Sequence, residues 1–266
     1  MLPYIIIFGK TYATYGIIAV LGIVVAICFA EFYFSKFYDL KKEDIFYASM
    51  FALIGVGIGA KLLYIITIIP DIIQNLNMLN VKTLISKILN GGFVFYGGLI
   101  GGVLGLLVYV KIFNVSFKKL SMILIPTVPV FHAIGRIGCL CAGCCYGMPY
   151  DGFGSIIFKN TPYAPIGIPL FPMQIVESTC NLIIFIIVLL TYKRYNGTYK
   201  TIALYAVLYS IVRFSLEFYR GDVSRGILWG LSTSQWISIA LFIVGIILFA
   251  YSRKSICEGN ESGNKS

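Results

Sequence analysis

The segment HAIGRIGCLCAGCCYG, residues 132–147, holds the chain's only histidine, His132, together with Arg136 and Cys139, Cys141, Cys144 and Cys145, four of its seven cysteines. A second segment, YSIVRFSLEFYRGD at 209–222, spaces Tyr209, Arg213 and Glu217 at i, i+4 and i+8, which is one face of a helix. Both segments lie in strongly apolar surroundings. A fixed charge there is costly and faces a bundle interior or a wet cavity, which makes Arg136 and Arg213 functional candidates; apart from Glu217, one turn beyond Arg213, no acid lies close to either in sequence. For Lys61, in GAKLLY at 59–64, snorkelling and function are both open. The cysteine spacing C-x-C-x-x-C-C matches no regular zinc pairing, and no metal is expected from it. A disulfide suits an oxidising compartment, and small, soft packing residues are the plainer reading. Cys28 and Cys180 read as packing, and Cys257 as part of the tail.

These side chains need elements that hold them in lipid. The 266-residue chain is 59% hydrophobic and 12% charged, about half the charge of an ordinary soluble domain. Apolar stretches of helix-spanning length recur at about 12–34, 46–69, 93–113, 120–142, 172–192, 200–218 and 233–252. The expected fold is therefore all-α, a polytopic membrane protein of about seven transmembrane helices, with one integral membrane domain over 1–254 and a polar, disordered tail over 255–266. MLPYIIIFGK lacks a basic n-region, and no small-residue cleavage site follows, so the first span is expected to stay in place. The net charge of +10 is carried mostly by short loops, where cations report orientation and meet anionic headgroups. Nucleic acid is not an expected partner.

An odd number of spans puts the termini on opposite sides. With the N-terminus outside, twelve of the twenty-one Lys and Arg fall in inner loops and the tail, six fall outside, and Lys61, Arg136 and Arg213 fall within spans. The positive-inside rule then predicts an outer N-terminus and a cytoplasmic C-terminus. Residues 143–171 and 70–92 become the longest outer loops, the latter with room for an amphipathic or re-entrant piece. In this topology the three intramembrane cations converge on the outer leaflet. Tyr15, Tyr96, Gln174, Glu177, Tyr209 and Glu217 occupy the same layer. GGFVFYGGLIGG at 91–102 adds glycines, among them Gly97 and Gly98, that permit a bend and close approach by a helix or a ligand.

The ordered set of Tyr15-Gly16, GAKLLY, GGFVFYGGLIGG, the GRIG core at 135–138, FPMQIVE at 171–177 and YSIVRFSLEFYRGD resembles the bacterial prolipoprotein diacylglyceryl transferase family through nearly the whole membrane part. The resemblance implies transfer of the diacylglyceryl group from phosphatidylglycerol to the lipobox cysteine thiol of a preprolipoprotein, with formation of a thioether and release of glycerol phosphate. It also implies a multi-pass protein of the bacterial inner (cytoplasmic) membrane. Its partners would be phosphatidylglycerol, lipobox-bearing preprolipoproteins and membrane lipid, and no cofactor is implied. By resemblance, Arg136 and Arg213 hold phosphate and leaving group, which suits forked guanidinium donors. Tyr15 and Tyr209 order the headgroup, and Gln174 and Glu177 support the site. Lys61, Gly97, Gly98 and Glu217 complete the expected substrate-binding set. The nucleophile belongs to the substrate, so the protein needs no catalytic cysteine of its own.

Two positions depart from the family pattern. Tyr96 stands where GG-x-x-x-H-GG has histidine, and Cys139 stands where asparagine follows GRxG. The general base is thus open among Tyr96, Glu177 and His132, His132 also reading as a buried, hydrogen-bonded side chain. The rival readings are a membrane thiol-redox or metal-handling protein built on the Cys139–Cys145 cluster, and a noncatalytic lipid binder or transporter.

Overall fold

A computed structural model describes residues 2–74, 86, 88, 92, 94–195, 198–222 and 226–263. Its helices are α1 (Thr14–Phe32), α2 (Lys42–Gln74), α3 (Phe95–Phe113), α4 (Phe117–Leu124), α5 (Val128–Ala142), α6 (Met173–Tyr195), α7 (Lys200–Leu216) and α8 (Thr233–Gly263). Among the described residues, seven helical stretches are long and apolar enough to cross a membrane. α4 and α5 form one of them, joined by a 3-10 turn at Ile125–Thr127. The prolines at 126 and 129 remove backbone donors there, which accounts for the interruption. The all-α, polytopic architecture is the one expected. Most of the 70–92 segment, including its expected surface piece, lies outside the described residues.

Among the described residues, three short antiparallel strand pairs interrupt the helical pattern: β1 (Tyr4–Ile7) with β2 (Lys10–Ala13), β3 (Ile156–Ile157) with β4 (Pro169–Leu170), and β5 (Ile227–Leu228) with β6 (Leu231–Ser232). The first and third turn through Phe8-Gly9 and Trp229-Gly230, each with positive φ at both residues. That geometry matches the twist of the flanking strands. α8 remains helical through Gly263, beyond the residue 254 boundary drawn from the sequence.

The chain divides into two compact units, Tyr38–Ser121 on the one hand and Met1–Phe37 with Met122–Ser266 on the other. In the first, α2 and α3 meet backbone to backbone. A Cβ added at Gly55 or Gly59 would run into the carbonyl oxygens of Gly101 and Gly97, and one added at Gly105 into that of Phe51. Val94 N–H donates to the Ala60 carbonyl at 3.1 Å and fixes the entry of α3. Tyr109 donates to Asp44 Oδ1 at 2.8 Å near the other end of the pair.

The second unit packs by side chains. Gly22 of α1 accepts Phe131 and Ile134 of α5, and Gly138 of α5 lies under the Tyr15 ring. Ser178 of α6 donates to the Ala133 carbonyl of α5 at 2.7 Å. Gly245 of α8 lies against Val207, Ala203 and Ala206 of α7. Phe29 and Phe185 meet edge to face, and Tyr192 donates to the Met122 carbonyl at 2.8 Å.

Candidate active site

The inner face of α6 carries Gln174, Glu177 and Asn181, each at most 2% exposed, at the i, i+3, i+7 spacing of one helical stripe. Buried polar groups at this depth require partners. Glu177 Oε1 pairs with Arg136 Nη2 of α5 at 2.7 Å, and Oε2 faces Arg220 Nη1 at 3.8 Å. Asn181 donates to the Glu177 carbonyl at 2.8 Å. Gln174 donates to the Cys144 carbonyl at 2.8 Å and ties α6 to the loop that follows α5. Arg136, with no acid close by in sequence, thus finds one across a helix interface.

Arg220 is a site residue that the sequence reading assigned only to an outer loop. Its side chain is 3% exposed, and its Nε and Nη2 donate to Asp222 at 2.8 and 2.7 Å in a forked pair. Burial works against its charge, but the hydrogen bond to Asp222 and the nearby Cys145 sulfur outweigh it, so its pKa is raised. Two neighbouring strands of loop hold it in place. Met148 N–H donates to the Tyr219 carbonyl at 2.9 Å, Gly221 N–H to the Tyr146 carbonyl at 3.0 Å, and Phe171 N–H to the Met148 carbonyl at 2.9 Å. A side chain at Gly147 or Gly221 would collide with this backbone. The R-G-D ending of the 209–222 motif carried the available signal: a cation, a glycine for close approach and an acid two residues on.

On α7, Arg213 Nη2 pairs with Glu217 Oε2 at 2.8 Å and donates to Ser234 Oγ at 3.0 Å, at the start of α8. Its Nη1 is buried and has no hydrogen-bond partner among the described residues. A buried guanidinium with a donor to spare is prepared to receive an anion. Tyr209 lies one turn before it and packs against His132 with ring centroids 5.5 Å apart and ring planes tilted by 42°. Of the sequence-predicted residues, Arg136 and Glu177 make one cluster, with Gln174 on the same helical stripe, while Tyr209 and Arg213 lie along α7 and Glu217 at its C-cap. Tyr15 covers Gly138, two residues from Arg136.

Tyr96, Gly97, Gly98 and Lys61 belong to the other compact unit. Gly97 lies against the backbone of Gly59, and Gly98 fits against Val56 and Ala60, so the missing side chains serve α2–α3 packing. Tyr96 is 37% exposed, and Lys61 Nζ stands 5.3 Å from the centre of the Tyr64 ring.

The cysteines converge. The Sγ atoms of Cys139, Cys144 and Cys145 lie within 4.8 Å of one another, and Arg136 Nη1 is 4.0 Å from Cys139 Sγ. Hydrogen bonds from the Cys139 and Cys144 thiols, against the effect of burial and helped by Arg136 and Arg220, lower the pKa of Cys145. Cys144, whose own hydrogen bonds to Cys139 and Cys145 oppose ionisation, is raised.

A family model described as prolipoprotein diacylglyceryl transferase matches residues 3–251. Similar curated proteins include the phosphatidylglycerol–prolipoprotein diacylglyceryl transferase of Clostridium tetani, 36% identical over 93% of this chain and 96% of that one. The enzyme of that name numbered 2 in Clostridium perfringens is 35% identical over 97% of each chain. A namesake from Finegoldia magna is 30% identical over 96% of this chain and 97% of its own. With the match running from the first hairpin into α8 and including every arginine of the site, the chain belongs to the prolipoprotein diacylglyceryl transferase family.

Proposed function

We infer that this chain transfers the diacylglyceryl group from phosphatidylglycerol to the lipobox cysteine thiol of a preprolipoprotein, the first step of lipoprotein maturation. Family membership over residues 3–251 carries this reading. The substrate thiol loses its proton and its sulfur bonds to the glyceryl carbon. The carbon–oxygen bond to phosphate breaks, and its electron pair leaves with glycerol phosphate. No redox change occurs.

The chain's part is to hold the phosphate and to stabilise the charge that develops on it. Arg213, with its open Nη1, grips the leaving phosphate, and Glu217 and Ser234 aim the fork. Arg136 supplies the second guanidinium. Glu177, held between Arg136 and Arg220, serves as a positioning carboxylate, which leaves Tyr96 and His132 as the candidate bases. Tyr15 and Tyr209 order the headgroup, Gln174 fixes the cysteine loop, and Lys61, with Gly97 and Gly98 where α3 begins, belongs to the substrate-binding set. The single membrane domain over 1–254 sits in the bacterial cytoplasmic membrane with its N-terminus outside and its C-terminus inside, so the site faces lipoboxes emerging from export.

The test is diacylglycerol transfer from phosphatidylglycerol to a lipobox peptide by the purified full chain, together with rescue of a strain depleted of its own transferase. A folded protein that does neither overturns the reading. If Tyr96 moves the proton, Tyr96→Phe lowers turnover by about a hundredfold and Tyr96→His retains appreciable activity. A fully active Phe variant moves the proton transfer to His132.

A further inference from the structure

The transfer chemistry above uses none of the three convergent cysteines, although they lie against its arginines. We infer that Cys139, Cys144 and Cys145 form a three-thiolate site for a Zn2+-class ion, with the fourth position open to the thiol of an incoming peptide cysteine. The fourth-position part rests on the transferase reading; the metal site itself does not.

Geometry carries the site. Thiolates about 2.3 Å from Zn2+ stand roughly 3.8–4.0 Å from one another. The three Sγ atoms already lie within 4.8 Å of each other, so they close on an ion with shifts on the order of 1 Å. A disulfide would bring two of them to about 2.05 Å and strand the third.

The backbone builds the triangle before any ion arrives. Gly143, left-handed at φ 77°, ends α5, and the amides of Gly143 and Cys144 both donate to the Cys139 carbonyl, at 2.9 and 3.1 Å. Cys145 is also left-handed, at φ 57°. A side-chain-bearing residue adopts that conformation at a steric cost, and it persists where the surroundings impose it. Here Gln174 holds the Cys144 carbonyl, and Thr161 donates to the Ala142 carbonyl at 2.8 Å while filling the space beside Gly143. Cys139, in the last turn of α5, completes the set.

Charge agrees. Three thiols that release their protons to Zn2+ form a complex of net charge −1, and Arg136 and Arg220 are the adjacent cations. Cys144 and Cys145 are only half-buried, so the triangle is not sealed. Zinc with three protein ligands takes a water or substrate as its fourth, and a coordinated thiol is deprotonated outright. The peptide cysteine would then give its proton to solvent on binding, and its sulfur would form the C–S bond as the C–O bond to phosphate breaks.

The experiment uses the full chain in detergent, reduced and stripped of metal under anaerobic conditions, and titrated with Zn2+. One equivalent should slow alkylation of Cys139, Cys144 and Cys145 by about tenfold or more, leaving Cys141 and Cys180 unchanged. Co2+ in place of Zn2+ should give a thiolate-to-metal absorption that is lost in Cys144→Ser and kept in Cys141→Ser. A lipobox peptide should shift that absorption, and its Cys→Ser analogue should not. Equal alkylation with and without Zn2+ in the unmutated protein overturns the site, and a spectrum unmoved by the peptide overturns its open position. Full-rate transfer by metal-free enzyme also removes the fourth-ligand role while upholding the transferase reading. If neither metal-loaded nor metal-free enzyme transfers, the transferase reading falls, and the alkylation result still decides the site.

Discussion

The two compact units solve one problem in opposite ways. In lipid, helices gain nothing by burying apolar surface from water, so association rests on close packing and on polar contacts. The Tyr38–Ser121 unit uses packing: Gly55 and Gly59 of α2 lie against the backbone of Gly97 and Gly101 of α3. The other unit uses polar contacts, with Arg136, Glu177, Arg220 and Asp222 joined by ion pairs and Arg213 reaching from α7 to α8. A glycine seam leaves no side chain to react with. An ion-pair network holds charges at fixed positions, and Arg213 keeps one donor over. The contrast teaches that in this chain the stabilising contacts and the chemistry coincide in one unit and are separate in the other.

The largest expected effect breaks the polar side alone. Arg213→Ala should reduce diacylglycerol transfer about a thousandfold, or roughly 4 kcal/mol of transition-state stabilisation. Arg213→Lys should be nearly as damaging, because lysine keeps the charge and loses the fork. The alanine variant should also melt lower through the lost ties to Glu217 and Ser234, so transfer is compared on folded protein, and near-normal transfer by the lysine variant would remove Arg213 from the phosphate.

Glu177→Gln comes next and tests whether structure and chemistry share this unit. It takes from the partly buried Arg136 its 2.7 Å counter-ion and from Arg220, which keeps Asp222, a longer contact, at a cost of roughly 3 kcal/mol at most. Melting temperature and transfer should fall together. A stable variant with lost transfer would instead make Glu177 a participant in proton transfer.

On the glycine side, Gly59→Ala places a methyl against the Gly97 carbonyl oxygen and should destabilise by about 2 kcal/mol. Gly57→Ala, two residues away with nothing within 4 Å of the added carbon, is the matched control and should melt like the unmutated protein. Equal melting of the two variants would dissolve the seam.

The smallest effect sharpens the electrostatics of the cysteine loop. Because the pKa of Cys145 is lowered, its thiolate persists as pH falls below the usual thiol range. In chelator and reductant, alkylation of Cys145 should fall less steeply between pH 8 and pH 6 than that of an ordinary thiol, which slows about tenfold per unit. A tenfold-per-unit decline at Cys145 would show that the Cys139 and Cys144 thiols, with Arg136 and Arg220, do not hold its pKa down.

Much of this protein was legible in the sequence because lipid imposes strict local rules. A span must be apolar over a fixed length, so the seven helices could be read from composition. Charge within a span is too costly to be incidental, which singled out Arg136 and Arg213. The i, i+4 spacing alone paired Arg213 with Glu217, since one helix supplies both partners. Partners contributed by different elements could not be read this way. The tie from Arg136 to Glu177, the recruitment of Arg220 from an apparent outer loop, and the meeting of Cys139 with Cys144 and Cys145 depend on helix packing and on two left-handed residues after α5. Gly97 and Gly98 show the reverse case. The sequence marked them as places for close approach, and only the packed α2–α3 pair decided that what approaches is a helix. Sequence fixes what each residue can do and which neighbours share its helix. Which charge meets which across an interface is set by how the helices pack, and that is a property of the tertiary structure alone.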